Sequence, residues 1–506
     1  MTSDETGTGN VTAAPSKWHD LLDAQLRHRP LSKALIDGSG RIWTYADLQD
    51  ATGALVDILS SQGVGPGEKV LILAENCAEV VAAVMACSRC GACAAPVNAR
   101  LASPEIDRII KHIDPAVVLF ARAVSPDAAR HCDHLGGQPL TGPIAGLALA
   151  AGCPGSPDPD LHDVAAMLFT TGTTGPPKGV MLTHGNVIFA GHASARLRSL
   201  TPSDVIYGAL PVSHVFGLAS VVTAALSAGT PVRFASRFSA AEAFDTLQDN
   251  VTVFSGVPQM HALLMQYASG MGHDKLPGHQ LRYVSAGAAP LDPGWKRQAE
   301  RFYGLALQNG YGMTEATAGI CASTCEIGDP DVTVGRPLPG VIVDLDHGVG
   351  GGGPGVGEVR TRGPHVMKGY YRNASATDEV LKDGWLRTGD LGWFDESGRL
   401  TISGRLKEVI IHGGFNVYPP EVEAALNAHP LVIQSAVIGQ RLAGDERVLG
   451  FVQVAKGLGP DPEDLRAFLA DRLAGYKRPA RIVMVASLPV APTGKILKTR
   501  LLEEFA

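Results

Sequence analysis

Short apolar runs alternate with helical segments through the first two thirds of this 506-residue chain. Runs with the length and composition of buried strands lie at residues 69–73, 117–120, 164–169, 205–210 and 231–234. Helical patterns occur at 79–86 and 219–227. Strands that alternate with helices pair mostly in parallel, and the helices cover the faces of the sheet. The pattern therefore predicts an α/β fold built in layers.

The pattern changes in the last third of the chain. A Gly-rich stretch at 344–357 predicts a hairpin loop, and tight turns at 383–398 indicate a small β-rich subdomain. From about residue 406, strands and helices form a compact α+β unit of roughly 100 residues. We place the boundary at 404–407. It separates a disordered tail (1–15) and an N-terminal domain (16–403) from a C-terminal domain (408–506).

Composition and charge exclude several classes of function. The formal charge of −7 and the pI near 6.1 provide no basic surface for nucleic acid or for an anionic membrane. No apolar run is long enough to span a bilayer, and the N-terminus lacks a signal-peptide pattern. We expect a cytoplasmic protein. The sequence leaves open whether it acts as a monomer or a homodimer.

Two groups of metal-ligating residue types have an ordinary structural interpretation. Cys87, Cys90 and Cys93 have a spacing that superficially suggests an iron–sulfur site. No fourth cysteine is placed to complete a cluster, and the run reads as a small-residue helix that ends at Gly91. We therefore predict no metal there. The His-Cys-Asp-His run at 131–134 is interpreted as a solvated loop.

The segment 170–179 reads Thr-Thr-Gly-Thr-Thr-Gly-Pro-Pro-Lys-Gly and lies between two strand-like runs. Small residues let backbone N–H groups approach a ligand, hydroxyls donate hydrogen bonds, and a lysine adds a positive charge, so the segment suits a polyanion. It is not a Walker A loop, because Lys178 follows Pro177 and no Ser or Thr comes next. The alternative is a surface turn between two strands.

Four later segments carry further chemistry. They are Gly-Tyr-Gly-Met-Thr-Glu at 310–315, Thr-Gly-Asp at 388–390, a cation- and glycine-rich region at 404–419, and Pro-Val-Ala-Pro-Thr-Gly-Lys at 489–495. Taken alone, a Thr-Gly-Asp turn or a lysine near a C-terminus is most often a solvated surface feature.

Together, in this order, the five segments resemble the adenylate-forming superfamily of acyl-CoA synthetases, aryl-CoA ligases, nonribosomal-peptide adenylation domains and luciferases. The resemblance runs from Trp43 to Arg500. It implies a large N-terminal domain, with two α/β sheet layers and a β-rich subdomain, and a small mobile C-terminal domain. It also implies an ATP-dependent acid–CoA ligase: a carboxylate and ATP give acyl-AMP and pyrophosphate, and the thiol of CoA then displaces AMP.

The resemblance assigns a role to individual residues. Thr170, Thr171, Thr173, Thr174 and Lys178 would hold the β- and γ-phosphates of ATP. Thr314 would contact the α-phosphate, Glu315 would bind Mg²⁺, and Asp390 would accept the ribose hydroxyls. Tyr311, Ala288 and Asn309 would surround adenine, and Arg405 would reach the ribose or phosphates. The same nucleotide and CoA region would include Gly172, Gly175, Gly310, Gly312, Lys407, Gly413, Gly414 and Asn416.

The resemblance also implies a moving C-terminal domain. Lys495 would bridge the carboxylate and the α-phosphate during adenylation. A rotation about Lys407 would then remove it and bring Gly413 and Gly414 to the pantetheine tunnel. His214 matches a family position at the mouth of the acyl pocket and would close it against water.

The expected acyl pocket includes Phe216, Phe254, Gly256, Gly287, Gly310, Ala318 and Gly319. Several of these residues are small, which favours a medium-chain, long-chain or bulky apolar acid, and none is a cation for a second carboxylate. Ile411 stands where hydroxycinnamate ligases carry a second lysine. CoA is the expected thiol. The alternatives are a stand-alone ligase that loads a carrier protein and a catalytically silent acyl-nucleotide-binding protein.

Overall fold

The computed structural model describes residues 15–152, 157–170, 178–348, 355–413, 415–442, 445–455, 459–490 and 496–505. Its α-helices are α1 (Asp20–His28), α2 (Tyr45–Ser61), α3 (Ala78–Cys90), α4 (Ser103–Ile113), α5 (Pro126–His134), α6 (His184–Leu197), α7 (Ala224–Ala228), α8 (Ala240–Thr246), α9 (Pro258–Gly270), α10 (Pro293–Tyr303), α11 (Ala374–Val380), α12 (Pro419–Asn427), α13 (Pro462–Ala470) and α14 (Leu501–Phe505).

The strands up to residue 313 are β1 (Lys33–Ile36), β2 (Ile42–Thr44), β3 (Lys69–Ala74), β4 (Cys93–Asn98), β5 (Val117–Phe120), β6 (Gln138–Pro139), β7 (Ala148–Ala151), β8 (Val164–Thr170), β9 (Lys178–Thr183), β10 (Ile206–Gly208), β11 (Val232–Phe234), β12 (Val253–Gly256), β13 (Tyr283–Gly287) and β14 (Leu307–Met313). Those that follow are β15 (Ala318–Ala322), β16 (Arg336–Pro337), β17 (Ile342–Asp346), β18 (Gly357–Arg362), β19 (Gly369–Tyr370), β20 (Leu381–Lys382), β21 (Trp385–Phe394), β22 (Leu400–Arg405), β23 (Ile410–His412), β24 (Phe415–Val417), β25 (Val432–Leu442), β26 (Asp445–Val454) and β27 (Arg481–Val485).

Two large sheets form the N-terminal part. Within the described residues the first sheet has the order β16-β15-β14-β13-β12-β10-β11-β1-β2, and the second has the order β19-β9-β8-β4-β3-β5-β7-β6. The central strands of both sheets pair in parallel, whereas the outer strands pair antiparallel. The predicted α/β layers are thus confirmed.

Helices lie between the sheets and outside them. Helix α6 contacts β8 and β9 of the second sheet and β15 of the first, so it lies between the two sheets. A π-helical segment, Phe216–Thr223, packs along α6. On the outside, Ile106, Ile109 and Ile113 of α4 bury their side chains against the second sheet. These apolar positions recur every three or four residues, as in an amphipathic helix.

A third, antiparallel sheet forms the predicted β-rich subdomain. Its order is β17-β18-β21-β20, and β22 pairs with β21. Strands β17 and β18, on either side of the Gly-rich stretch, pair with each other as a hairpin requires. A tight turn precedes β21, where Asp383 and Gly384 both have positive φ.

The residues after 409 form their own hydrophobic clusters. Ile410, Val417, Val422, Leu465 and Ile482 belong to one of them, which α12, α13 and the sheet β25-β26-β27 enclose. A second cluster surrounds Phe451 and Leu501 on the other face of that sheet. The small α+β part therefore has its own core.

Two expectations from the sequence differ from the structure. The run 131–134 is the end of α5 and not a solvated loop. His131 is buried there, with Nε2 3.0 Å from the carbonyl oxygen of Ala99. The predicted helix 219–227 is a π-helical turn followed by α7, which ends at Gly229 in the left-handed region. As predicted, Cys87 and Cys90 lie on a helix that ends at Gly91.

No helix in the described part of the chain is both long enough and apolar enough to cross a membrane.

Candidate active site

The predicted site residues gather at one edge of the two large sheets. Strand β8 ends at Thr170, β13 ends at Gly287, and β14 ends at Met313. These are carboxyl ends of strands that pair in parallel with their neighbours. In open α/β sheets ligands bind outside the carboxyl ends of the strands. The candidate site is therefore this edge.

Asp390 joins β14 to the third sheet. Its carboxylate is 4% exposed and accepts a 2.6 Å hydrogen bond from the hydroxyl of Tyr311. Asp390 and Arg405 are register partners on β21 and β22, and Arg405 Nε lies 3.1 Å from Oδ1. Burial and the neighbouring carboxylate raise the pKa of Tyr311 well above its usual value, so its hydroxyl stays a donor. Asp390 raises the pKa of Arg405.

Glu315 and Lys178 meet through a tyrosine that the sequence analysis missed. Glu315 lies in the 3₁₀ turn Thr314–Ala316, which follows β14 directly. The hydroxyl of Tyr370 donates a 2.8 Å hydrogen bond to Glu315 Oε1. Lys178 Nζ lies 4.8 Å from the centre of the Tyr370 ring, on its face. Burial and the Glu315 carboxylate raise the pKa of Tyr370.

The neighbouring turn is built by close backbone approach. A Cβ on Gly312 would lie 1.4 Å from the carbonyl oxygen of Ala318, so only glycine fits there. Thr317 and Ala318 both have positive φ. Residues with side chains adopt this conformation only when their surroundings enforce it, and such strain is common at functional sites.

Only some of the residues expected around adenine have side chains at the candidate site. Ala288 follows β13 with a φ of 70°, at the same edge as Tyr311. Asn309 is buried, and its side-chain Nδ2 donates to the carbonyl oxygens of Val332 and Thr333. Asn309 thus holds the loop at 332–333, a role that its position before Gly310 did not suggest.

His214 and Phe216 lie at the start of the π-helical segment. The Phe216 ring covers Gly287, because a Cβ placed on Gly287 would lie 3.3 Å from a ring carbon of Phe216. His214 Nδ1 accepts a 3.3 Å hydrogen bond from the backbone N–H of Phe216. A Cβ on Gly217 would lie 2.2 Å from the carbonyl oxygen of Pro211, so a glycine is needed for the turn that places these side chains.

Two of the seven expected acyl-pocket residues face another way. Phe254 is the register partner of Val284 on the neighbouring parallel strand, so these two side chains lie on the same face of the sheet. Gly287 comes three residues after Val284 and lies on the opposite face, because side chains alternate between the faces of a strand. The Phe254 ring, 4.7 Å from the His261 ring between centres, therefore lies on the outer face of the first sheet. A Cβ on Gly256 would point to the same histidine. Gly310 and Ala318 stay near Gly287, and Leu338 covers Gly319.

Several expected residues lie outside the described part of the chain. They are Thr171, Gly172, Thr173, Thr174, Gly175, Gly414 and Lys495. The described residues on either side of the 171–177 segment show where it connects to the fold. Thr170 and Lys178 are register partners at the ends of β8 and β9, so the intervening residues start and end at the carboxyl edge.

Local structure is defined at Lys407, the expected hinge residue, and in the strands that follow it. After Arg405 the chain forms the 3₁₀ turn Leu406–Glu408, in which Lys407 is exposed. Strands β23 and β24 pair across Gly413, which has a φ of 58°, and Asn416 is the register partner of Ile411.

A cavity of about 240 Å³ opens at the same edge, beside Pro211. Asn76, at its base, donates to the carbonyl oxygens of Gly208, Leu210 and Ala235 and so ties the second sheet to the first. Arg237 Nε lies 2.6 Å from the buried carboxylate of Glu75. Val490 lines the cavity and pairs with Ile496, so the segment that contains Lys495 starts and ends near it.

The described residues fit a nucleotide and a divalent cation. Asp390 presents a buried carboxylate beside an aromatic residue, and carboxylate oxygens accept hydrogen bonds from sugar hydroxyls. Glu315 presents a carboxylate at the end of β14, the oxygen ligand that Mg²⁺ prefers. Lys178 adds a positive charge close to it. The arrangement suits a polyphosphate that carries a metal ion.

Comparison with known proteins agrees with this chemistry. The family model described as AMP-binding enzyme matches residues 22–371, and the model described as AMP-binding enzyme C-terminal domain matches residues 421–495. A feruloyl-CoA synthase from Amycolatopsis sp is 33% identical over 488 residues, which cover 95% of this chain and 97% of the relative. A fatty acid–[acyl-carrier-protein] ligase, ScoC, from Streptomyces coeruleorubidus is 32% identical over 506 residues, with 95% and 94% covered.

A solved structure matches over nearly the full length. It is the o-succinylbenzoate coenzyme A synthetase (MenE) from Bacillus subtilis in complex with ATP and magnesium ion. The TM-score is 0.80 at 28% identity, and the match covers 95% of this chain and 99% of that one.

Proposed function

Because the chain belongs to the family of AMP-binding enzymes, we propose that the residues at the carboxyl edge of its sheets activate a carboxylic acid with ATP. The chain is an AMP-forming acid–thiol ligase. In the first half-reaction a carboxylate oxygen attacks the α-phosphorus of ATP, and the bond to pyrophosphate breaks. In the second, the sulfur of CoA attacks the acyl carbon, and AMP leaves with the electron pair of the broken C–O bond.

One observation carries this proposal: a single strand end presents both halves of a nucleotide site. Tyr311 binds Asp390, and Glu315, four residues later, binds Tyr370 beside Lys178. The first pair suits the ribose and adenine, and the second group suits phosphates with their cation. The two groups follow each other along β14 and its turn, as a ligand with a sugar at one end and a polyphosphate at the other would require.

Each residue then has a chemical task. Asp390 accepts the ribose hydroxyls, and Arg405 pairs with that carboxylate. Glu315 holds Mg²⁺, which supplies charge neutralisation to the phosphates. Lys178 and the hydroxyls of the 170–174 segment hold the leaving pyrophosphate. Lys495 stabilises the charge that develops between the carboxylate and the α-phosphate, a large contribution to catalysis in a preorganised site.

The acyl pocket proposed here is apolar and narrower than the sequence suggested. The small residues expected to line the pocket suggested a large volume. In the structure, the ring of Phe216 covers Gly287, and Leu338 covers Gly319. We therefore propose that the substrate is an apolar acid. These two side chains limit its width, and residues further along the pocket limit its length.

The cavity beside Pro211 is the proposed route for the thiol. It lies next to the His214 turn, and Val490, from the C-terminal domain, forms part of its lining. A residue of the C-terminal domain thus lines this opening, as a rotation between the two half-reactions would require. Ser236→Trp would fill the cavity from its partly exposed side. We expect acyl-AMP formation to persist and thioester formation from synthetic acyl-AMP to fall.

The experiment that tests the function is ATP–pyrophosphate exchange over a panel of carboxylic acids. Aliphatic acids of increasing length, aromatic acids and dicarboxylic acids are compared, each with and without Mg²⁺. We expect exchange that depends on an apolar acid and on Mg²⁺. Exchange without any acid, or no exchange with any acid, would contradict the proposal and favour a silent nucleotide-binding protein.

A second function, loading a carrier protein, is favoured by one observation. The similar ScoC protein is named as a fatty acid–[acyl-carrier-protein] ligase. Offering CoA and a holo carrier protein to the enzyme with its preferred acid separates the two. We expect CoA to be acylated at least as fast as the carrier. Acylation of the carrier alone would assign the chain to the second function.

A further inference from the structure

A short segment, residues 367–371, connects the two parts of the phosphate side of the site. The backbone N–H of Met367 donates to the carbonyl oxygen of Glu315, in the turn after β14. Lys368 and Tyr371 then donate to the carbonyl oxygens of Met181 and Gly179 on β9, the strand that begins at Lys178. The carboxylate from the first sheet and the lysine from the second sheet are therefore tied to one piece of backbone.

The side chain of Tyr370 repeats this connection. Tyr370 is 6% exposed and pairs with Val180 across β19 and β9. Its hydroxyl donates to Glu315 Oε1 at 2.8 Å, and its ring face lies 4.8 Å from Lys178 Nζ. One rigid side chain thus contacts a carboxylate with its tip and an ammonium group with its face.

The two contacts act on different degrees of freedom. A carboxylate at the end of a rotatable side chain can turn, and a hydrogen bond to one of its oxygens fixes which way the other oxygen points. A lysine has a long flexible stem, and an aromatic face attracts its ammonium group to one region. Without Tyr370 both groups would lose orientation while their backbones stayed in place.

We propose that Tyr370 is a positioning residue that orients the metal-binding Glu315 and the phosphate-binding Lys178 together. The inference rests on the roles proposed above for those two residues. The hydroxyl of Tyr370 orients the Glu315 carboxylate toward the metal ion, and its ring keeps the Lys178 ammonium group near the phosphates.

Two substitutions separate these contributions. Tyr370→Phe removes the hydroxyl and keeps the ring, whereas Tyr370→Leu removes both. Tyr371→Phe is the matched control, because Tyr371 follows directly, is buried, and donates its hydroxyl to Asp158 Oδ2 at 2.9 Å, away from Glu315. Glu315→Gln is the reference for loss of the metal ligand.

The measurement is ATP binding to the full chain by titration calorimetry, without an acid substrate, in Mg²⁺ and in EDTA. For Tyr370→Phe we expect affinity to fall about tenfold in Mg²⁺ and to change less than about twofold in EDTA, as for loss of one hydrogen bond to a charged group. For Tyr370→Leu we expect a loss in both conditions. Tyr371→Phe should behave as the unmodified protein. A thermal melt of each variant confirms that it is folded.

Two results would overturn the inference. One is a Tyr370→Phe variant that binds Mg·ATP as tightly as the unmodified protein. The other is a Tyr370→Phe variant whose ATP affinity falls equally in Mg²⁺ and in EDTA, which indicates a general structural role. If the unmodified protein itself bound ATP no better with Mg²⁺, the proposed function would fail first, so the two failures are distinguishable.

Discussion

His261 is a fully buried histidine on the outer face of the first sheet. Its Nδ1 lies 2.8 Å from the hydroxyl of Tyr303, and its Nε2 lies 3.1 Å from the carbonyl oxygen of Ser285. Since a carbonyl oxygen only accepts, Nε2 carries the proton and Nδ1 accepts from the tyrosine. The ring is thus neutral, and burial lowers its pKa to about 4.

A first prediction concerns stability against pH. An unfolded histidine has a pKa near 6.5, so between about pH 6.5 and 4 the unfolded state binds more protons than the folded one. The free energy of unfolding should therefore fall as the pH decreases through this window, by at most about 3 kcal/mol from His261. His261→Gln should show a smaller loss of stability between pH 7 and 5, measured by denaturant unfolding. His28→Gln, at an exposed position, is the control and should retain the full slope.

A second prediction concerns the buried carboxylate of Asp390. Asp390→Asn keeps the shape but removes the charge that pairs with Arg405 and that is proposed to accept the two ribose hydroxyls. We expect the KM for ATP to rise about tenfold to a hundredfold, as for lost hydrogen bonds to a charged group. Asp395→Asn, in the turn after β21, is the control, because Asp395 binds Arg399 and Ser397 instead. A similar rise in both variants would contradict the ribose role.

Single residues were predictable from the sequence where a local motif carries them. Asp390 and Glu315 lie in short motifs that can be recognised in the sequence without knowledge of the fold. Tyr370 was missed because its partners are 55 and 192 positions away, and no local pattern links it to them. Phe254 was expected in the acyl pocket, yet its ring lies on the face of the first sheet opposite to Gly287, because the sequence does not say which face of a buried parallel strand a side chain occupies.

Among the elements, the 3₁₀ turn Lys498–Arg500 connects distant parts of the C-terminal domain. Lys498 Nζ lies 3.0 Å from Glu408 Oε2, next to the expected hinge residue, and 2.9 Å from Glu423 Oε1 on α12. These carboxylates raise the pKa of Lys498 although burial lowers it. The turn that follows the Lys495 segment is therefore fixed to the hinge and to α12.

A third prediction follows for this element. Lys498→Met removes the ammonium group that contacts both Glu408 and Glu423, so the free energy of unfolding should fall by about 1–3 kcal/mol; the cost stays below that of a fully buried pair because all three groups are partly exposed. Thermal unfolding checks this. Arg500→Met is the control, since Arg500 pairs with Glu504 on the surface, and exposed pairs contribute less than about 1 kcal/mol.

Elements with a clear period were predicted well, and irregular ones were not. The strand at 117–120 has the predicted bounds, because it is a short apolar run between turns. Residues 219–223 of the π-helical segment were predicted as part of the helix 219–227, because π- and α-helices have similar apolar composition. The backbone of Gly217 approaches the carbonyl oxygen of Pro211 closely at the start of this segment, which composition alone does not reveal.

For the whole molecule, the order of strands in the two sheets lay beyond sequence reasoning. The neighbours β8 and β4, or β11 and β1, are far apart in the chain, and their pairing depends on many long-range contacts. The division into a large and a small part was predictable, because the rhythm of elements changes after residue 405. The hinge at 404–407, and a rotation of the C-terminal domain about it, remain a proposal.

A fourth prediction tests this motion. Lys495→Ala should abolish acyl-AMP formation yet leave thioester formation from synthetic acyl-AMP largely intact, because the lysine serves one half-reaction. Both half-reactions are measured separately, by pyrophosphate release and by acyl-CoA formation. Equal loss of both would contradict a two-state domain arrangement. Lys498→Met, assayed alongside, controls for general damage to the same segment.

The cross-strand pair of Asp390 and Arg405 has a consequence for inhibitors. Arg405 is the last residue of β22, and the chain enters the turn that contains Lys407 immediately afterwards. A compound that mimics ribose at Asp390 would therefore lie beside Arg405, two residues before the proposed pivot, Lys407. Small molecules built on that contact need not compete for the acyl pocket at all. They would act by selecting one domain arrangement, and compounds of this kind would inhibit the enzyme whatever acid it uses.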